Sequence, residues 1–346
     1  MTERDKWLAA RRRGITGTDI AAILGLNPWR TALDVYLEKT GAAETQEDNA
    51  AMWWGRSLEG IMARRYAELT GLRKGMLLTG AAIADAFPRK RVMIFGRGAD
   101  AHVLIRHKEY PFLLATVDGL VPDHGRGLEL KTANDFCAFE WGEQGTDQIP
   151  TYYLTQCAHY EAVTEYPVWD VGSLLGSAAR AYGDLALYKV ERTRALEAEI
   201  MSAAVRFWKE HVLKKKPPPI DGSSSWQSYL ARKYARSTGV VLNATPHIND
   251  LVRQYRDIQK QRQEAELAER HIRNTLAAIV QSADRTIGSF GTIGWVRPGV
   301  KAITDWEAVA RSMKPSPALI RRHTTTRQDA AYLRAWWKRE IDAKTE

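Results

Sequence analysis

The spacing of apolar residues changes several times along the chain, and each change marks an element. In TGTDIAAILG (16–25) it is helical, with Thr16 or Thr18 able to cap the first turn and Gly25 ending it. TALDVYLEKTG (31–41) predicts an amphipathic helix with Leu33, Tyr36 and Leu37 on one side and Gly41 past its end. WWGRSLEGIMARRYAELTG (53–71) predicts another, with Leu58, Ile61, Met62 and Leu69 inward. The period then shortens to that of strands in RVMIFG, AHVLIRH, FLLATVDGLV and GLELKT, the last two joined by the turn-rich PDHGRG. A helix over TYYLTQCAHYEAVT, strands in VWDVGSLLG and LALYKVER, and a helix over TRALEAEIMSAAVRFWKEHVL follow. Helices around a small central hairpin predict an α/β domain over residues 1–213.

KKKPPPIDGSSSW (214–226) interrupts this pattern. Three prolines cannot continue a helix and Gly-Ser-Ser-Ser has little to pack, so the stretch reads as a linker. Beyond it, residues 227–346 form a basic, mainly helical region of unassigned role. Its main feature is one long helix, HINDLVRQYRDIQKQRQEAELAERHIRNTLAAIV, with Ile248, Leu251, Tyr255, Ile258, Leu267, Ile272 and Leu276 at helical spacings. A strand in GTIGWVRP and a basic, Trp-bearing helix in RRHTTTRQDAAYLRAWWKRE close the chain. The long helix suits self-association and the tail suits DNA or a partner protein; packing against the first domain explains either equally well.

Composition narrows the class. No apolar run nears the roughly 20 residues a membrane helix needs, and MTERDKWLAARRRG has no apolar core for a secretory signal. The two cysteines, Cys137 and Cys157, support neither a disulfide framework nor a four-cysteine metal site. A cytoplasmic protein, without membrane attachment, is expected. The net charge is +9, and residues 221–346 hold about 21 Lys and Arg against about 13 Asp and Glu, so the excess lies there. A polyanion such as nucleic acid suits that balance.

The candidate chemistry sits in LLATVDGLVPDHGRGLELKTAND (113–135). Residues two apart in a strand face one side, so Glu129 and Lys131 point together, and a hairpin partner strand can bring Asp118 alongside. Neighbouring carboxylates repel unless a divalent cation lies between them, and oxygen ligands suit Mg²⁺, with Mn²⁺ able to substitute. An ammonium beside such an ion can orient water and neutralise charge on a phosphate. The alternative is a strand edge carrying a surface ion pair.

Several stretches, in order, resemble a known family: RRRGITGTDIAAILGLNPWRTALDVYLEKTG, MWWGRSLEGIMARRYAELTG, LLATVDGLV with GLELKTA, IPTYYLTQCAHYEAVT and FWKEHVLKKKPPPID. The family is the YqaJ-like viral recombinases, the phage lambda exonuclease-type branch of the PD-(D/E)XK nucleases. The resemblance runs from about Trp7 to about Asp221 and fades beyond. It implies a central mixed β-sheet flanked by helices. It also implies a Mg²⁺-dependent exonuclease that degrades the 5′-ended strand of linear duplex DNA, leaving 3′ tails for recombination. A ring-like homo-oligomer and a single-strand annealing protein as partner are further implications.

Carried over by position, Asp118 and Glu129 are metal ligands, the Leu130 carbonyl adds a third oxygen, and Lys131 is the catalytic lysine. Glu59 matches the glutamate of the helical WG…E motif; otherwise it is a solvated helix residue. Gln156 matches the glutamine of the following helix; otherwise it is a buried amide. Arg11 and Thr18 match the neighbourhood that holds a 5′-phosphate, where a guanidinium, a hydroxyl and helix amides suit an anion. A capped helix with exposed arginines is the alternative, and Arg12 and Arg13 compete with Arg11 for the role. Two positions depart from the pattern: Val117 precedes Asp118 where a proline is usual, and Ala158 replaces a second glutamine. His102, His107, His124 and His159 lack metal-ligand spacing. Trp53, Trp54 and Trp208 read as core.

Overall fold

In the computed structural model, residues 1–43, 49–176, 184–236, 238–281, 283–289, 291–296, 313 and 316–323 are described. The chain divides into two compact units, 1–230 and 231–346.

The first unit opens with a helix that the apolar pattern did not suggest, α1 (Glu3–Arg11). Its start is fixed by a reciprocal cap, Asp5 N to Thr2 Oγ1 and Thr2 N to Asp5 Oδ2. The same Thr-x-x-Asp device opens α2 (Gly17–Ile23), with Thr16 and Asp19, and α3 (Ala32–Lys39), with Thr31 and Asp34. Thr16, not Thr18, is therefore the cap of α2. Gly25 and Gly41 end the two helices at φ +72° and +76°, a region glycine enters without penalty.

Helix α4 (Ala50–Leu69) turns Leu58 and Met62 inward as expected, but its buried face is rotated away from Ile61 and Leu69. Met62, Ala63 and Tyr66 are buried, whereas Ile61 and Leu69 are exposed. Tyr66 decides the rotation, because its hydroxyl donates to buried Asp170, which also accepts from Arg126. Trp53 and Trp54 are 54% and 57% exposed, so they are not core. Half-buried Trp208 stacks on Phe112.

Two four-stranded sheets follow. In the first, β1 (Ile15–Thr16), β4 (Leu113–Ala115), β3 (His102–Arg106) and β2 (Val92–Phe95) lie in that order. The second runs β5 (Gly119–Val121), β6 (Arg126–Ala133), β7 (Val168–Leu175), β8 (Ala186–Glu191). FLLATVDGLV, expected as one strand, is split between them. β4 pairs with β3 and β1 while β5 pairs with β6, so residues 116–118 bend from one sheet to the other.

The second sheet is mixed. β6 is antiparallel to β5, and β7 is parallel to β6 and antiparallel to β8. α5 (Thr151–Thr164) is the crossover that the parallel pair requires. β6 separates two apolar layers: Leu128 and Leu130 pack with Met62 and Tyr66 of α4. On the other side Trp169 and Val171 of β7 pack with Cys157, Tyr160 and Val163 of α5. A side chain at Gly127 would meet the Trp169 ring at 2.4 Å, so the indole lies flat on β6 only because that residue is glycine. The expected α/β class, with a mixed sheet between helices, is observed.

After α6 (Arg194–Phe207) and a π-helical turn (Trp208–Leu213), the expected linker differs from the structure. Trp226 is 5% exposed, in the main core, and its Nε1 donates to Pro219 O. Ser225 Oγ donates to Asp34 Oδ2 and Tyr36 Oη donates to Lys215 O. The prolines do stop the helix, but burial of one indole, within α7 (Ser224–Lys233), ties the segment to the first unit.

In the second unit, α8 (Pro246–Val280) is followed by the antiparallel hairpin of β9 (Arg285–Gly288) and β10 (Gly291–Gly294), and later by α9 (Pro317–His323). The helix expected in the Trp-bearing tail lies outside the described residues. Among the described residues no helix is long and apolar enough to cross a membrane.

One buried acid in the first unit sets a pH dependence. Burial pushes the Glu161 carboxyl on α5 from its ordinary 4.5 up to about 8, against a partial pull from Arg192. The folded chain therefore holds a proton there that the unfolded chain releases, and stability falls as pH rises from 4.5 to 8. Glu161→Gln should reduce that fall by about 3 kcal/mol, measured as urea unfolding at pH 5 and pH 8.

Candidate active site

Asp118 lies in the bend between the sheets, one residue before β5, and the β5–β6 register pairs Gly119 with Leu128. Continuing that register sets Asp118 across from Glu129. Asp118 Oδ2 accepts from Leu130 N at 2.7 Å, which fixes the carboxylate against β6. Glu129 is 3% exposed and Lys131 Nζ donates to its Oε1. The amide of Gln156 on α5 donates both to that same oxygen and to Tyr160 Oη, the latter at 2.8 Å. All three residues of the expected cluster, and Gln156, are thus brought together.

The electrostatics are those of an acid-rich site with one internal cation. Burial raises Asp118 well above the usual carboxylate range, and the Glu129 and Glu59 carboxylates add to the effect. Burial also raises Glu59, with Glu129 as the next cause. Glu59, on α4, is itself exposed, so it is joined to this group by charge and by no hydrogen bond among the described contacts. For Lys131, burial works against the ammonium, but Glu129 and Asp118 outweigh it and hold the group above its usual value. Its Nζ also stands 4.8 Å from the centre of the Tyr153 ring.

Glu129 Oε2 decides whether a cation suits this cluster. It is buried with no hydrogen-bond partner, while Oε1 accepts two. An orphaned carboxylate oxygen beside two acids with raised pKa values is the donor chemistry that a hard divalent ion satisfies. Among the described residues no three His, Cys, Asp or Glu side chains form a ready-made cage. The set is one carboxylate on β6 and one in the bend before β5, with Glu59 in electrostatic reach. The histidines serve elsewhere: His107 Nδ1 accepts from the Glu109 and Tyr110 amides, His159 Nε2 bonds to Leu114 O, and His102 stacks on Trp7.

A second polar group adjoins the first through α5. Arg11 Nη2 donates to Thr18 Oγ1 at 3.2 Å, and the guanidinium lies 4.7 Å from the centre of the Trp7 ring. Arg12 and Arg13 instead line a separate cavity of about 500 Å³ with Lys39 and Trp208. Of the three arginines, Arg11 is the one joined to Thr18. Burial, then the positive charges of Arg4, Arg11 and Arg56, lower the pKa of His102, which marks a basic neighbourhood. α2 approaches α5 so closely that a side chain at Gly17 would meet Tyr160 at 2.7 Å and Gln156 at 3.0 Å. The exposed Thr18 hydroxyl is therefore one residue from the helix that holds Glu129.

Three participants were not singled out from the sequence. Tyr153 and Tyr160 lie three before and four after Gln156, on the same helical face, and that spacing was the available signal. Asp19 is 1% exposed and ties the site's N-terminal wall together. It accepts from Thr16 N, Thr16 Oγ1, Arg30 Nη1 and Lys39 Nζ at 2.6–2.9 Å.

Comparison with known proteins gives the following. The profile of the YqaJ-like viral recombinase domain matches residues 6–167. The uncharacterized protein YqaJ of Bacillus subtilis (strain 168) is 30% identical over 296 residues, covering 84% of this chain and 81% of that protein. An alignment of that length runs past residue 221, whereas the family profile ends at residue 167. Among solved structures, an alkaline exonuclease (LHK-Exo) from Laribacter hongkongensis is 23% identical, with TM-score 0.44, covering 67% of this chain and 98% of that one. A phage-related exonuclease from Haemophilus somnus 129PT is 12% identical, with TM-score 0.41, covering 58% and 96%.

Proposed function

Given that this chain belongs to the YqaJ-like viral recombinase family, we propose that it is a metal-dependent deoxyribonuclease that degrades linear duplex DNA from its ends. One observation carries the reading: Asp118, Glu129 and Lys131 converge where β5 meets β6, leaving Glu129 Oε2 buried and unbonded.

Asp118, Glu129 and the Leu130 carbonyl would hold Mg²⁺, or Mn²⁺ in its place. When bound, the ion supplies Lewis-acid polarisation of the phosphodiester and activation of water. Lys131, kept protonated by its acidic neighbours, places a cation where charge builds on the phosphate. Gln156, itself held by Tyr160, fixes the Glu129 rotamer, and Glu59 closes the acidic group from α4. Arg11 and Thr18 bind the terminal 5′-phosphate, which sets the distance from the strand end to the scissile bond.

In this reading the 5′-ended strand is degraded and the 3′ tail serves recombination, handed to a single-strand annealing protein. A ring-like homo-oligomer around the duplex would keep the DNA from leaving between cuts. The activity is tested on linear duplex labelled separately at each end, with Mg²⁺ and then with a chelator. Nucleotides should leave the 5′-ended strand only with the metal. Cutting of closed circles would instead mark an endonuclease, and no release under any divalent ion a DNA-end-binding scaffold.

The end pocket has its own test. Arg11→Ala removes a charge-assisted contact of about 1.5–3 kcal/mol, so KM for 5′-phosphorylated ends should rise about 10- to 100-fold. Ends carrying a 5′-hydroxyl should be little affected, which separates loss of the pocket from general damage.

A further inference from the structure

Helix α8 is 35 residues long and none of its residues is buried. Counting from Ile248 as position a, its a and d positions repeat every 3.5 residues for more than four heptads. In the first half they include Ile248, Leu251 and Ile258, and in the second half Ile272, Leu276 and Ile279. These six are 37–71% exposed. On the outward face, the ion pairs Arg253–Asp250 and Lys260–Glu264 keep the opposite side hydrated. A sustained seam of this period is what a second helix covers in a coiled coil.

We propose that α8 pairs, antiparallel, with α8 of a second copy of this chain. The polar centre of the seam sets the direction. Its a and d positions are Arg262, Ala265 and Glu269. A parallel pair in register would set Arg262 against Arg262 and Glu269 against Glu269, like charges inside the seam. In the antiparallel pair that sets Arg262 opposite Ala265, Ile248 meets Ile279 and Leu251 meets Leu276. Ala265 leaves room for the guanidinium, and Glu266 of the other copy falls one position along from it, opposite in sign. Glu269 of the other copy lies about 6 Å away along the axis, within reach of the same guanidinium. Within one copy, Arg262 already pairs with Glu266 at 3.4 Å, so the charges can exchange partners without being stranded.

The full chain carrying Cys137→Ser tests this, since the remaining native cysteine, Cys157, is buried. Leu251→Cys together with Leu276→Cys should give a disulfide-linked dimer under mild oxidation. Two positions 25 residues apart on one straight helix stand about 37 Å apart and cannot join within a copy. Each single variant alone should stay uncrosslinked, and the two single variants mixed should crosslink. Crosslinking by Leu251→Cys alone would mean a parallel pair and overturn the proposal, as would its absence in the double variant. Separately, Leu251→Glu with Leu276→Glu should halve the mass seen by sedimentation while the first unit's melting transition stays in place. An unchanged mass would equally overturn it. Both readouts are independent of nuclease activity, so failure here leaves the nuclease reading standing.

Discussion

Lys131→Ala should lower Mg²⁺-dependent nucleotide release by at least about 10³-fold while duplex binding, measured with the chelator present, changes only a few-fold. The side chain removed is the only cation shown hydrogen-bonded to Glu129 among the described contacts. Glu129→Gln should have an effect of similar size. Asp118→Asn adds a diagnostic that a merely structural role cannot mimic. Burial, Glu129 and Glu59 raise the Asp118 carboxyl, so without metal its ionisation opposes folding at pH 8. The amide can still accept from Leu130 N, so Asp118→Asn should abolish release yet leave the metal-free protein as stable or more stable at pH 8. If the variant instead melts earlier, or retains release, the acidic pair is structural and the proposed site is wrong. A gain in stability with loss of activity is expected where a fold holds like charges together for chemistry.

Asp19→Asn should destabilise the first unit by about 2–3 kcal/mol, read as a shift of the urea unfolding midpoint. The Lys39 side chain is 1% exposed and Arg30 is also partly buried, so neutralising Asp19 leaves both cations to share the one carboxylate of Glu38. Burial alone would raise the Asp19 carboxyl, but Lys39 and Arg30 outweigh it and hold it well below the usual range. The stabilisation is therefore present above the ordinary carboxylate pKa and fades as pH falls below it. Because the same carboxylate caps α2 through Thr16, the variant should also weaken discrimination in favour of 5′-phosphorylated ends. A variant that keeps both midpoint and end preference would show that Asp19 is dispensable to the ion group it forms with Arg30, Glu38 and Lys39. Asp184→Asn, which breaks an exposed pair with Arg65, is the matched control and should leave the midpoint unmoved.

Local rules account for much of what was legible. The period-two alternation of GLELKT placed Glu129 and Lys131 on one face and Leu130 on the other, because a strand has no other way to set its side chains. A capping threonine at the start of α2 and the glycines that end α2 and α3 were legible for the same kind of reason: the groups that satisfy a helix end lie within four residues of it. What failed were inferences about partners. FLLATVDGLV satisfies a strand pattern throughout, and only the choice of different neighbours for its halves bends it at Asp118. Trp53 and Trp54 are as apolar as any core residue, yet the rotation of α4, set by Tyr66 on Asp170, turns them outward. Trp226 was passed over inside a proline- and serine-rich stretch because composition does not reveal where an indole finds a cavity.

The sequence by itself thus determined the elements, the pairing of Glu129 with Lys131 on one strand face, and the family. Each of these depends on residues a few positions apart or on motifs read in order. Only the tertiary structure decided that Asp118 reaches β6 from a bend between two sheets, that Arg11 rather than its neighbours joins Thr18, and that Glu129 keeps one oxygen buried without a donor. Those facts depend on which distant segments share a layer, and the free energy that selects among such arrangements is spread over the whole core rather than carried by any local stretch.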